Sequence, residues 1–297
     1  MEAEQKRLSA NRHFLAQKYS SMQIFIALIT GFLAGLHTST WGMYKDSPHE
    51  GFSWGKYARS AIIGAIYGPI VWKLTELDVT TAQGILLLWG ATYMIERLTL
   101  ETWKTFLRSE DQSKYFIPMQ LHVMGKVVES RAARYVAAFF YIGGIVLAGW
   151  GVVIFWQAWR AGNVSLNPYL ILIILSIGGW VSAFGGAWKD APIEGFETFK
   201  FFRSPAIAYF FAWVSANLTD NFVIIAMCSI GFTVATIETY KTFFFPSRPR
   251  GKFAGKPTLF PEMLKNRKPF AWLYTAIWIL IIITTILAFT ESHQGMV

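Results

Sequence analysis

The feature that most constrains this chain is a series of apolar segments, each long enough or nearly long enough to cross a bilayer. A hydrocarbon core takes about 20 mostly apolar residues per helix. Eight segments approach that length: residues 22–44, 60–72, 81–95, 135–157, 168–188, 205–217, 222–237 and 270–289. The second, third, sixth and seventh are short, and need flanking residues or burial inside a bundle. Of the 297 residues, 54% are hydrophobic and only 15% are charged. A soluble domain carries about 25% charged residues, so an ordinary soluble enzyme is excluded, as is a disordered chain. The expected fold is an all-α integral membrane protein with about eight transmembrane helices. The first segment does not read as a cleavable signal: a polar tail, residues 1–21, precedes it and no small-residue cleavage site follows. The lone cysteine, Cys228, lies in an apolar run and is expected to be buried and inert.

Charge orients the segments. The net charge is +9, and most of the 27 Lys and Arg residues fall in the loops after odd-numbered segments. The positive-inside rule places those loops in the cytoplasm or its equivalent. Lys6, Arg7, Arg12 and Lys18 of the tail run against the trend. In so apolar a chain the basic surplus implies anionic lipid head groups as partners, with other membrane subunits as a second class, rather than nucleic acid. The polybasic stretch 246–257 fits the same reading. Tryptophans near the segment ends, among them Trp41, Trp54, Trp103, Trp188 and Trp272, are expected to form interfacial belts.

The strongest internal signal is self-similarity. Y-K-D-S-P-H-E-G-F-S-W-G-K-Y-A-R-S begins at Tyr44, and W-K-D-A-P-I-E-G-F-E-T-F-K-F-F-R-S begins at Trp188. At one constant offset Lys45 matches Lys189, Asp46 matches Asp190, and Glu50 matches Glu194. The register continues with Lys56 and Lys200, then Arg59 and Arg203. A second block, E-T-W-K-T-F from Glu101, recurs as E-T-Y-K-T-F from Glu238. The sequence therefore divides into residues 22–157 and 158–297, two four-span repeats. An even number of crossings between the copies makes them parallel, related by a pseudo-two-fold axis along the membrane normal.

The repeated residues are the candidate site. Lys45, Lys56, Arg59, Lys104, Lys189, Lys200, Arg203 and Lys241 are candidates for holding a lipid phosphate, because cations neutralise phosphate oxygens. Asp46, Glu50, Asp190 and Glu194 are hard oxygen donors and the candidates for a metal such as magnesium. The competing reading is structural. Ser47-Pro48-His49-Glu50 has the pattern of a helix start, as does Arg203-Ser204-Pro205, and the charges can pair into a polar lid.

Other chemistry has little footing. No haem, zinc or nucleotide motif is present, no cofactor is implied, and the five histidines form no i, i+4 pair. His37, inside the first segment, is expected to be a satisfied bundle histidine, and His49 is the asymmetric member of the repeated loop. Paired glycines at 143–144, 178–179 and 185–186 are expected to allow close helix packing. The segment interiors hold no acidic or basic residue, which disfavours an ion-coupled transporter. The leading expectation is a non-catalytic structural, assembly or lipid-binding component. A membrane enzyme acting on a lipid or polyprenyl phosphate comes second, and a transporter or channel third.

Overall fold

The computed structural model describes residues 2–245, 251–291 and 295–297, with side chains from Ser20 onward. Among the described residues the fold is all-α apart from a hairpin of two short strands, His122–Val123 and Lys126–Val127. Helix α1 spans Glu2–Glu50, α2 Trp54–Thr75 and α3 Ala82–Thr102. Then come α4 Arg131–Arg160, α5 Pro168–Leu175, α6 Ile177–Glu194, α7 Thr198–Leu218 and α8 Phe222–Phe243. The short α9, Met263–Asn266, leads into α10, Lys268–Thr290. Each apolar segment of the sequence lies on a helix, and the residue 168–188 segment is divided at Ser176. Among the described residues, five helical stretches are long and apolar enough to cross a membrane: Ser20–Glu50, Arg131–Arg160, Pro168–Glu194, Phe222–Phe243 and Met263–Thr290.

Local chemistry sets the starts. Thr81, Ser130, Asn167 and Asn221 each accept a backbone N–H of the first turn through the side chain, satisfying donors that have no partner inside the helix. The expected starts at Ser47 and Arg203 are corrected: α1 runs through Ser47 and Pro48, and α7 begins at Thr198 with Pro205 inside it. Proline removes an N–H and leaves the carbonyl four residues earlier unbonded. At Pro48 that carbonyl belongs to Tyr44, and Arg267 donates to it at 2.7 Å. A distant arginine thus repairs the ladder that a sequence rule takes to be broken.

Helix α3 is the axis of the larger core. Leu86, Leu87, Leu88, Trp89, Ala91 and Tyr93 are buried among Ala27 and Ala34 of α1, Cys228 and Phe232 of α8, and Ile277 and Ile281 of α10. A smaller core joins Ile171, Leu172 and Leu175 to Ala212, Ala216, Phe222 and Ile225. Helices α1 and α2 approach closely at glycines. A methyl group on Gly31 would stand 2.2 Å from the Gly64 carbonyl oxygen, and one on Gly35 2.0 Å from that of Ser60. Of the expected glycine contacts, only Gly178 and Gly179 are packed against a neighbour. Gly143, Gly144, Gly185 and Gly186 face open space, because α4 and α6 lie at the periphery. There Phe139, Phe140, Val146, Leu147 and Trp150 of α4, with Val181 and Phe184 of α6, point outward. Cys228 is fully buried, its thiol 3.2 Å from the Leu87 carbonyl.

Candidate functional site

At one end of the bundle a cavity of about 370 Å³ opens between the last turns of α1, the first turns of α2 and the end of α3. Three local devices build it. Helix α1 stops at Gly51, whose φ of 72° is in the left-handed region that glycine occupies without strain. The chain turns and restarts at Trp54, which sets Lys56, Arg59 and Ser60 opposite Asp46 and Glu50. Helix α3 ends in a π-helical turn, Trp103–Leu107, in which the Arg108 N–H bonds the Trp103 carbonyl. Such a widened turn re-aims side chains, and Trp103 and Lys104 line the cavity.

Six cations line it: Lys56, Arg59, Arg97, Lys104, Arg108 and Lys252. They face three carboxylates: Asp46, Glu50 and Glu110. Two tryptophans order the cations. Trp103 lies between Arg59, 4.8 Å from its ring centre, and Arg108, at 5.3 Å. Trp41 lies between Lys45, at 4.6 Å, and Arg97, at 5.1 Å. A guanidinium stacked by its face keeps its N–H donors in the plane; Arg97 and Arg108 already direct part of theirs to Glu101 and Glu110. The buried Nε atoms of Arg59 and Arg97 have no hydrogen-bond partner. Trp41 and Trp103 therefore correct the belt expectation, whereas Trp54, Trp188 and Trp272 are exposed as a belt requires.

Lys252 reaches in from the segment between α8 and α9. Its ammonium lies 2.9 Å from both Asp46 and Glu50. Burial alone would lower its pKa, but the two carboxylates outweigh burial and hold it above the ordinary lysine value. The polybasic stretch is thus corrected in part: residues 246–250 lie outside the described residues, while Lys252 is an internal cation rather than a lipid-facing one. His49 stacks on Phe253 and bonds the Pro257 carbonyl at 2.8 Å, so it anchors this segment. Phe260 donates its N–H to Pro48 and covers Gly51. On the other wall the fully buried Arg134 holds the Arg108 carbonyl and the Ser109 hydroxyl in place. Burial lowers the Lys104 pKa to about 8, opposed in part by Glu101.

The sequence candidates divide into two groups. Lys56, Arg59, Lys104, Asp46 and Glu50 meet in the cavity. Lys45, Lys189, Lys200, Arg203, Lys241, Asp190 and Glu194 do not line it. They nevertheless repeat its pairings. Lys56 bonds Glu50 and Lys200 bonds Glu194. Lys104 pairs with Glu101 and Lys241 with Glu238, each three residues apart. Arg59 stacks on Trp103 and Arg203 on Tyr240. The two sets also cross: Lys45 bonds Glu238 at 3.0 Å, and the Lys189 charge acts on Glu101.

Sequence reasoning missed Glu96 and Arg97. The apolar segments are free of charge, yet both residues lie on α3 with Glu96 fully buried and Arg97 only 9% exposed. Their place immediately after the apolar run 81–95, within one further helical turn, is the available signal. Neither recurs in the second half, where the matching positions are Thr233 and Val234. His37 is buried as expected, 3.2 Å from the Tyr93 hydroxyl and stacked on Tyr274. Among the described residues, no three or more His, Cys, Asp or Glu side chains gather as a metal set.

No protein-family model, curated protein or solved structure matches this chain.

Proposed function

We propose that the chain is an integral membrane protein of two parallel four-span repeats that binds the phosphate-bearing head group of an anionic lipid, as a non-catalytic lipid-binding or assembly component. The observation that carries this reading is the cavity's surplus of cations, with two arginines stacked on Trp103 and Trp41 and their Nε donors unpartnered. Lys and Arg in that arrangement recognise phosphate better than any neutral head group. A membrane location is supported by the five long apolar helices and by the large side chains that α4 and α6 turn outward, a pattern that water would penalise. The concentration of basic residues on the cavity's side supports its assignment to the cytoplasmic face. The recurring pairs support the duplication.

A magnesium-dependent enzyme has less support. Asp46 and Glu50 share Lys252, and Asp190 and Glu194 share Lys200. Carboxylates already neutralised by lysine suit a structural lid better than a metal site.

The test is native mass spectrometry of the purified full chain with equal phosphatidic acid and phosphatidylcholine. We expect selective retention of phosphatidic acid, reduced at least about tenfold in affinity when Arg59→Gln and Lys104→Gln are combined. Equal retention of both lipids would overturn the reading.

A further inference from the structure

We infer that the cavity selects a phosphomonoester, whose terminal phosphate carries about two charges, over a phosphodiester, which carries one, and that Arg59 makes the distinction. The inference rests on the phosphate reading above and narrows it to a chemical class.

The partners of the six lining cations carry it. Lys252 bonds Asp46 and Glu50, each at 2.9 Å, and Lys56 bonds Glu50 at 3.0 Å. These two lysines and two carboxylates balance. Arg108 is answered by Glu110, which Lys114 also bonds from outside the lining. Arg97 and Lys104 both turn to Glu101, so two cations share one carboxylate. Arg59 differs from the other five. Among the described residues no carboxylate stands within 4.0 Å of its guanidinium. Its Nε is buried without a hydrogen-bond partner, and its face rests on Trp103.

Two positive charges are therefore unanswered, one on Arg59 and one on the Arg97–Lys104 pair. Glu96 does not cancel them. It is fully buried, it does not line the cavity, and neither of its oxygens has a hydrogen-bond partner. An ionised carboxylate so placed would lack the donors that make burial tolerable, so Glu96 is neutral.

The surplus sets the charge of the ligand, because sequestered charges are costly until they are answered. A phosphomonoester brings about two negative charges near pH 7 and three terminal oxygens. A phosphodiester brings one charge, and leaves either Arg59 or the Arg97–Lys104 pair unanswered. Arg59 is the specificity-determining residue. Its planar fork takes two oxygens at once, and it has no internal ion pair to give up first.

A lipid head group and a free ester share this chemistry, and the experiment separates them. In nanodiscs the full chain is compared on phosphatidic acid, a monoester, and phosphatidylglycerol, an anionic diester. In detergent it is titrated calorimetrically with methyl phosphate and dimethyl phosphate. We expect the monoester to bind roughly tenfold tighter than the diester in at least one series, the weight of one charge-assisted hydrogen bond. A preference in nanodiscs alone identifies the lipid as the source, and one in solution identifies the free ester.

Arg59→Gln removes one unanswered charge and strands no carboxylate. It should bring the two affinities within about twofold of each other, chiefly by weakening the monoester. Arg160→Gln, which removes a cation outside the cavity, should leave the ratio unchanged. The comparison on the unaltered chain decides the matter if Arg59→Gln does not fold. No preference for the monoester in either series, or a preference that Arg59→Gln leaves intact, overturns the inference while phosphate binding stands. Absence of binding by every phosphate compound overturns the lipid-phosphate reading as well.

Discussion

The turn after α1 and the turn after α6 carry the same residues and have different surroundings. Both have Pro in the last helical turn, a glycine with positive φ, and a lysine six residues after a glutamate that it bonds. Yet Gly51 lies under Phe260, whereas nothing stands within 4 Å of a methyl group built on Gly195, and Phe196 beside it is exposed. Asp46 and Glu50 share a lysine delivered from far along the chain. Asp190 and Glu194 share the local Lys200. The comparison teaches that the motif specifies a turn and a local ion pair, while the cover laid over it specifies a pocket.

The largest expected effect separates the two lysines. Lys252→Ala strands Asp46 at a mostly buried position and leaves Glu50 with Lys56, and should cost about 3 kcal/mol of stability in detergent. Lys200→Ala, at a more open site, should cost under about 1 kcal/mol. For the same reason Asp46→Asn should destabilise more than Asp190→Asn. Equal losses in chemical denaturation would break the comparison. Next come the glycines. Gly51→Ala and Gly195→Ala each force a side chain into φ of 72° or 85° and should cost about 1–2 kcal/mol. Gly51→Ala should cost more, because its new methyl stands 3.3 Å from the Phe260 ring.

A smaller effect concerns the stacked arginines. Trp103→Leu frees Arg59 and Arg108 and should weaken phosphate binding about fivefold, the size of one cation–π contact. Tyr240→Leu, at the matching position, should leave binding unchanged. The smallest is a pH dependence. With Lys104 at about 8, its charge is lost between pH 7 and 9, so phosphate binding should weaken across that interval. Lys104→Met should flatten the step. Stability should move oppositely: from about pH 8 to the ordinary lysine value near 10.4 the unfolded chain binds more protons, so the folded state gains as pH rises.

Much of this was legible in the sequence. Apolar runs gave every long helix, because burial in a bundle or in lipid requires such runs. The local pair Lys56–Glu50 follows from its spacing. Lys252 on Asp46 was not legible, since no rule links residues so far apart. Ser47-Pro48 has the pattern of a helix start. The structure continues the helix because Arg267 supplies the hydrogen bond that Pro48 cannot. Trp41 and Trp103 have the positions of belt residues, and composition does not distinguish a ring facing lipid from one stacked on arginine. Glu96 and Arg97 escaped because a charge at the edge of an apolar run reads as the start of a loop.

The contacts of Lys252 and Arg267 also have a meaning in time. A ribosome delivers α1, α2 and α3 long before it reaches either residue. Until then Asp46 and Glu50 lack their shared cation and the Tyr44 carbonyl lacks its donor. The first half emerges with its pocket unfinished, and the last part of the chain to be made closes it. A nascent chain arrested before Lys252 should therefore expose that end of α1 to protease, and release of the remaining residues should protect it.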